Sequence, residues 1–148
     1  MLEDIKERLE VAKEKKIEGK FVSAFYMGEL SNIEWQIDFF DGKKIYSLLP
    51  NGDIKEDTLF GDEELKELDL DEIKVDLLHA EQAVEKIRDE KYPHIEADKV
   101  IVILNKTDQT MWNITWLTKD FKIFNVKIDA DSGKVLKEKC ESVLKFKS

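Results

Sequence analysis

Few side chains in this 148-residue sequence have the types and spacing of a metal or catalytic site. The Asp129-Ala-Asp131-Ser-Gly133 run superficially resembles a calcium-binding loop. An EF-hand requires Gly at the sixth position and Glu at the twelfth, where this chain has Lys134 and Cys140. We therefore interpret the run as a turn.

The remaining candidate groups do not combine into a reactive set. His79 and His94 share no metal-ligand spacing with the single cysteine, Cys140. Glu34 and Asp38 share one face of a predicted strand, but four residues of a strand span about 13 Å, which is too far for an acid–base pair of carboxyl groups. There is no GxSxG, P-loop or GxGxxG motif. We expect a chain that is not an enzyme and that uses no metal or cofactor.

Three tryptophans could form an aromatic binding surface. Trp35 alternates in phase with Ile37, and Trp112 and Trp116 alternate in phase with Ile114. This period of two is typical of the buried face of a strand, so the pattern favours a core position for all three.

Composition excludes several classes of protein. The chain has 24 basic and 33 acidic residues and a net charge of -9, which opposes binding to nucleic acid or anionic membranes. No apolar run approaches the ~18 residues of a membrane span, so we expect no membrane insertion. A lone cysteine excludes a disulfide-stapled scaffold. Residues 57–98 carry 15 acidic and 5 basic groups, which indicates either a solvated surface or a docking site for a basic partner.

The first residues, Met1-Leu2-Glu3-Asp4, lack the basic start and apolar stretch of a signal peptide. The default expectation is a cytoplasmic protein. An extracytoplasmic location is the alternative if a leader has been trimmed.

Periodicity predicts the elements that would position any site. The first half is predicted to contain a helix over 2–16 and strands over 21–27, 33–39 and 44–49, with turns at Asp41-Gly42 and 50–53. The second half is predicted to begin with a short helix from Asp62 through Leu68 and a helix over 78–91 that Tyr92-Pro93 ends. Strands are predicted over 99–104, 112–116 and 124–128, followed by an extended segment from Val135. The tail over 143–146 either pairs as an edge strand or stays loose.

The same order of elements occurs twice. Segments 34–39 and 111–116 align through Trp, Ile and an aromatic residue, and Gly52 lies opposite Gly133. This predicts an α+β fold built as a tandem repeat of two αβββ units, with antiparallel sheets that carry their helices on one face. The units span 1–57 and 76–148 of a single domain, and an acidic linker over 58–75 joins them.

The second face of such a sheet is also partly apolar. Leaving it in water would forgo several kcal/mol at ~25 cal/mol per Å², so the other repeat, a second subunit or a ligand should cover it. The first of these is the most economical. The candidate interaction surface consists of Ile101, Ile103, Met111, Leu117, Phe121 and Ile123.

The stretch from about Asp76 to Lys139 resembles the PepSY family. The resemblance rests on the helix start at 78–84, the aromatic-rich middle strand and the final strand and turn at 124–136. It implies a helix packed on a curved antiparallel sheet, similar to the cystatin-like arrangement. The first half, residues 1–57, would be a degenerate copy. The resemblance also implies a role in modulating a peptidase or in binding a partner. The family has no established catalytic residue to transfer to this sequence.

The leading hypothesis is a non-catalytic protein-binding or peptidase-modulating module of unknown partner. One alternative is a small-molecule-binding domain with a pocket between helix and sheet. The other is a structural module that associates with itself as a homodimer.

Overall fold

The computed structural model describes residues 2–28, 33–58 and 65–143. They form an α+β fold in which two helices lie on one face of an eight-stranded antiparallel sheet. In chain order the elements are α1 (Leu2–Glu14), β1 (Lys20–Gly28), β2 (Gln36–Phe40), β3 (Lys44–Leu48), β4 (Ile54–Thr58), a short 3-10 helix (Leu70–Glu72), α2 (Leu77–Lys91), β5 (Ala97–Lys106), β6 (Thr110–Thr118), β7 (Lys122–Asp129) and β8 (Val135–Ser142).

The two halves join through their first strands. The strand order is β4-β3-β2-β1-β5-β6-β7-β8, so β1 and β5 pair at the centre and each half runs outwards from that pair. Phe25 and Ile103, which are 78 residues apart in sequence, face each other across this pair. The connectivity is the arrangement that a duplication would produce, and the duplication itself stays a prediction.

One core lies between the helices and the sheet. Alternate residues of every inner strand point towards the helices because side chains in a strand alternate between its two faces. Ala24, Ile37, Val102, Ile114 and Val126 are buried on that face. The helices contribute the buried side chains Ile5, Ala12, Leu77, Ala80 and Val84.

All three tryptophans are buried in this core. Trp112 and Trp116 are inward residues of β6, and the Nε1 of Trp112 donates a hydrogen bond to the Val75 carbonyl at 2.8 Å. Trp35 lies immediately before β2, and its ring centroid is 6.4 Å from that of Trp112.

Turns and caps follow local chemistry. The Asp76 carboxylate accepts a hydrogen bond from the backbone N–H of His79 and so caps the start of α2. Gly19 has a φ of +108°, and a Cβ there would lie 2.8 Å from the backbone carbonyl of Phe40. The α1–β1 turn can therefore approach β2 only with glycine at this position.

Several predicted boundaries were wrong. Residues 65–69 form no helix, so the predicted helix through Leu68 is not found in the described part, and its proposed cap Asp62 lies outside the described residues. Leu68 instead donates its N–H to the Phe21 carbonyl. Each half contributes four strands rather than three, because charged β4 and β8 are paired edge strands. The tail beyond Val143 lies outside the described residues.

The most economical expectation for the second face was also wrong. The two halves share one continuous sheet with both helices on the same side, so neither half covers the other. Pairing β1 with β5 satisfies the backbone hydrogen bonds of two strand edges, which stacking the sheets face to face would leave open. No described helix or strand covers the face opposite the helices, and Leu65 and Lys66 reach only its border, beside Ser23 and Ile103.

Candidate interaction surface

We call the uncovered side of the sheet the open face. Its centre is apolar and comes from the two strands that join the halves. Phe25 pairs with Ile103, and Met27 pairs with Ile101 across the β1–β5 ladder. Met27 is 56% exposed, and the other three side chains are half-buried. Because Val102 points into the core, Ile101 and Ile103 are the residues of β5 that lie on the open face.

A second apolar group on the open face lies at the carboxyl end of β6. Leu117 and Ile123 are register partners on the open face, and both are half-buried. Phe121 lies in the turn that joins β6 and β7, where its φ is +63° and its side chain is 61% exposed. A bulky residue rarely adopts positive φ, so this turn presents a large apolar ring to solvent at a conformational cost.

One member of the predicted surface differs from the others. Met111 lies in β6 between the register partners Asn105 and Asp129, but it is only 8% exposed. Strand alternation places Met111 on the same face of β6 as Leu117. The structure nevertheless leaves Met111 little area for a partner to contact.

Lysines lie on the open face at the last two strands of the sheet. We call Lys127, Lys137 and Lys139 the basic margin. Lys127 and Lys137 are directly opposite each other in the β7–β8 ladder, and like charges in that position repel. Lys139 forms an ion pair with Glu141 at 2.9 Å. The basic margin is a local cluster of lysines in a chain of net charge -9.

Amide and hydroxyl groups separate the apolar centre from the basic margin. The side-chain amide of Asn125 donates to Asn113 Oδ1 at 2.7 Å and is 2.8 Å from Thr115 Oγ1. These contacts fix the polar row in place. The open face thus passes from apolar to polar to basic across neighbouring strands.

The opposite border is polar and already hydrogen-bonded. Asp38 accepts hydrogen bonds from Ser23 at 2.8 Å and from Gln36 at 3.0 Å. Asp38 and Ser23 line a groove of about 440 Å³ together with Ile103 and Asn105. Glu34 precedes β2 and is exposed, so the structure gives Glu34 and Asp38 no shared chemical role.

The other sequence candidates are placed in turns and at element ends. Asp129 Oδ1 accepts from the backbone N–H of Asp131 at 2.8 Å, and backbone hydrogen bonds hold its pKa below the usual range. His79 Nδ1 is 2.7 Å from Asp76 Oδ1 at the exposed start of α2. Among the described residues, no three His, Cys, Asp or Glu side chains are grouped to hold a metal ion.

Two grooves bear on the alternative of a small-molecule site. One of about 300 Å³ lies between the end of α2 and β8 and is lined in part by His94 and Cys140, and burial raises the pKa of the Cys140 thiol. Another of about 450 Å³ contains Glu72 and Asp129. Glu72 forms an ion pair with Lys106 at 3.1 Å in this groove.

Sequence reasoning missed three residues of interest. Phe25 and Met27 belong to the apolar centre, and the alternation of β1 with inward Ala24 and Tyr26 was the signal that could have found them. Glu81 is buried on the inward side of α2. Its signal was a charged residue within the helical stripe of apolar residues.

Residues 78–139 match the PepSY family model, described as "Peptidase propeptide and YPEB domain". The match begins at the second residue of α2 and ends within β8, so the resemblance predicted from the sequence is confirmed for this segment. The fold is similar to the crystal structure of a "putative lipoprotein" from Clostridium difficile 630. The similarity has a TM-score of 0.62 and an identity of 21%, and it covers 93% of this chain and 92% of that one.

At 21% identity, the similarity to the crystal structure shows only that the two chains share a fold. No curated protein matches the chain. Neither helix in the described residues is long and apolar enough to cross a membrane.

Proposed function

We propose that this chain is a non-catalytic binding module that modulates a peptidase by docking the open face of its sheet against it. The observation that carries the proposal is the apolar centre formed by Phe25, Met27, Ile101 and Ile103, which no described element covers. Fully burying one such side chain contributes about 1.5–3 kcal/mol. A partner that covers this centre could therefore gain substantial affinity from a few contacts.

The family match is the reason for proposing a peptidase as the partner. The PepSY description names peptidase propeptides, and segment 78–139 supplies Ile101, Ile103, Leu117 and Ile123 of the open face. The segment that matches the family is thus the segment that builds most of the proposed surface. A module of this kind inhibits or positions a peptidase by occupying it, and it needs no reactive group of its own.

For location, we favour an extracytoplasmic site over the cytoplasmic default. Two facts support this: the name of the structurally similar lipoprotein and the propeptides named in the family description. Cell fractionation, with an antibody raised against the chain, tests the location.

Enzyme inhibition tests the function. We would measure hydrolysis of fluorescent casein by a panel of purified serine, thiol and metal-dependent endopeptidases in the presence of the purified chain. We expect at least one class to be inhibited. The double variant Met27→Glu/Ile101→Glu should weaken that inhibition at least tenfold, because it places two charges on a register pair at the apolar centre.

A matched control comes from the other side of the molecule. Leu78 is 54% exposed on α2, which lies on the helix side of the sheet. The variant Leu78→Glu should inhibit as well as the original chain. Equal losses in both variants, or no inhibition of any class, would contradict the proposal.

A homodimer is the second candidate, because the same apolar centre could cover a second copy of itself. Light scattering at micromolar concentration separates the two candidates. A dimer that the Met27→Glu/Ile101→Glu variant converts to a monomer, without inhibition of any peptidase, would favour self-association.

A further inference from the structure

Glu81 occupies a position that sequence patterning reserves for apolar residues. It follows Ala80 on the inward side of α2, one turn after Leu77 and one turn before Val84, and all three of these neighbours are buried. The Glu81 side chain is itself only 3% exposed. An acidic residue so placed has lost nearly all of its contact with water.

The polar atoms around Glu81 are not paired. Among the described residues, neither carboxylate oxygen of Glu81 has a hydrogen-bond partner. The hydroxyl of Tyr26 and the Nε1 of Trp116, which are also buried, likewise have none. Trp116 lies near enough to favour the charged form of Glu81, but its N–H does not reach hydrogen-bond geometry.

An ionised carboxylate is costly in such surroundings. Burial, and then the nearby charge of Glu85, raise the pKa of Glu81 to about 7, and the contact with Trp116 opposes this only in part. A neutral carboxyl also loses hydrogen bonds to water on burial, but its cost is much lower than that of the ionised form.

The charged and titratable groups on the surrounding elements do not relieve that cost. From β1, Tyr26 has its pKa raised by burial and by Glu81. On α2, the Arg88 guanidinium lies 5.4 Å from the Trp116 ring centroid and donates to the Ile95 carbonyl. From β8, Glu138 is paired with Lys91 at 2.6 Å, and the Cys140 thiol is uncharged at neutral pH because its pKa is raised.

We propose that Glu81 is a protonation-dependent latch, in which the neutral carboxyl keeps α2 packed on the sheet and the ionised carboxyl releases the helix. Release moves the charge into water, where it is hydrated. It also uncovers the ring of Trp116 and the core face of β6 within the PepSY segment. This inference concerns the helix side of the sheet and is independent of the partner that binds the open face.

Local opening is the expected response because a helix can separate from a sheet without unfolding it. The sheet is held by backbone pairing along all eight strands. In contrast, α2 is held by one stripe of apolar side chains, which Glu81 interrupts, and by polar contacts of Arg88 and Lys91 near its end. Segments with few buried apolar contacts open at lower free energy than the strands of a core.

Hydrogen exchange of the full chain tests the latch. Amide exchange in residues 77–88 is measured by mass spectrometry at pH 5.5 and pH 8 and is corrected for the intrinsic exchange rate. For a shift from the ordinary 4.5 to about 7, protection in the original chain should fall roughly 30-fold between these pH values. In Glu81→Gln, which cannot ionise, protection should be almost independent of pH.

Glu85→Gln is the matched control, because Glu85 is exposed on the same helix. It should retain most of the pH dependence. If Glu81→Gln does not fold, Glu81→Leu supplies the comparison, since leucine suits a buried position. Equal pH dependence in the original chain and in the position-81 variants, or none in the original chain, would overturn the proposal.

Discussion

The two helices each direct one charged side chain towards the sheet, and these two side chains differ in burial and in hydrogen bonding. In α1, Arg8 lies between buried Ile5 and Ala12, is half-buried and donates to the Leu49 carbonyl. In α2, Glu81 is almost fully buried and neither oxygen has a partner among the described residues. Arginine has a long side chain that can cover apolar surface while its head reaches a carbonyl or water. Glutamate is too short to do this from the middle of a helix. The Arg8 guanidinium thus reaches one carbonyl although its Nε has no partner among the described residues, whereas the Glu81 carboxylate reaches none.

The largest expected effect comes from removing the unsatisfied charge. The pKa of Glu81 is about 7 in the folded chain against an ordinary 4.5, so the folded state binds a proton more tightly than the unfolded state. The destabilisation is therefore absent below pH 4.5, grows as the pH rises and is complete above pH 7. The difference in unfolding free energy between Glu81→Leu and the original chain, measured in urea, should therefore increase by about 3 kcal/mol in favour of the variant from pH 4 to pH 8.

Arg8→Leu serves as the control for that measurement. It removes a hydrogen bond and a charge that stays ionised throughout this range, so its difference from the original chain should be nearly constant with pH. If the Glu81→Leu difference is equally constant, the contrast between the two helices has no electrostatic basis.

A smaller effect distinguishes the paired tryptophans of the two halves. Trp112 donates to the Val75 carbonyl, whereas Trp35 Nε1 has no partner among the described residues. Replacing Trp112 with Phe removes part of the ring and leaves a carbonyl unpaired, which should cost about 2–3 kcal/mol in unfolding free energy. Replacing Trp35 with Phe removes ring volume but breaks no hydrogen bond, so we expect a loss of about 1 kcal/mol.

Thermal unfolding followed by calorimetry compares the two variants under one condition. A loss at Trp35 equal to that at Trp112 would mean that the Val75 hydrogen bond contributes little. The two losses in stability would then reflect the packing of the rings and not the hydrogen bond of Trp112.

Local periodicity was sufficient to predict the two helices, most of the inner strands and the two faces of β6. Alternation placed Trp112, Ile114 and Trp116 on one side of β6, and the same reasoning placed Leu117 on the other. The helical stripe around Ala80 and Val84 located α2 to within one residue at its start. These features depend on side-chain spacing within a single element, which a sequence displays directly.

Features that depend on how elements meet were not predictable in this way. The pairing of β1 with β5 joins backbone groups, and backbone groups carry no sequence signal of their partner. The alternation of β1 could have separated Phe25 and Met27 from inward Ala24 and Tyr26, but only the pairing with β5 shows that they lie beside Ile103 and Ile101. Burial of Glu81 was missed for the related reason that a glutamate is expected to be exposed unless its neighbours in space are known.

The smallest expected effect concerns the like-charged pair in the basic margin. Lys127 and Lys137 face each other across β7 and β8, and the described residues give neither an ion pair with a carboxylate. Lys137→Glu would place opposite charges at that register position and should raise the unfolding free energy by about 0.2–1 kcal/mol at low salt. Because screening weakens exposed pairs, the gain should shrink at 1 M salt, where the Debye length is about 3 Å. Urea unfolding at both salt concentrations measures this. A variant no more stable than the original chain at low salt would mean that the two lysine side chains already avoid each other and that their repulsion does not destabilise the β7–β8 pair.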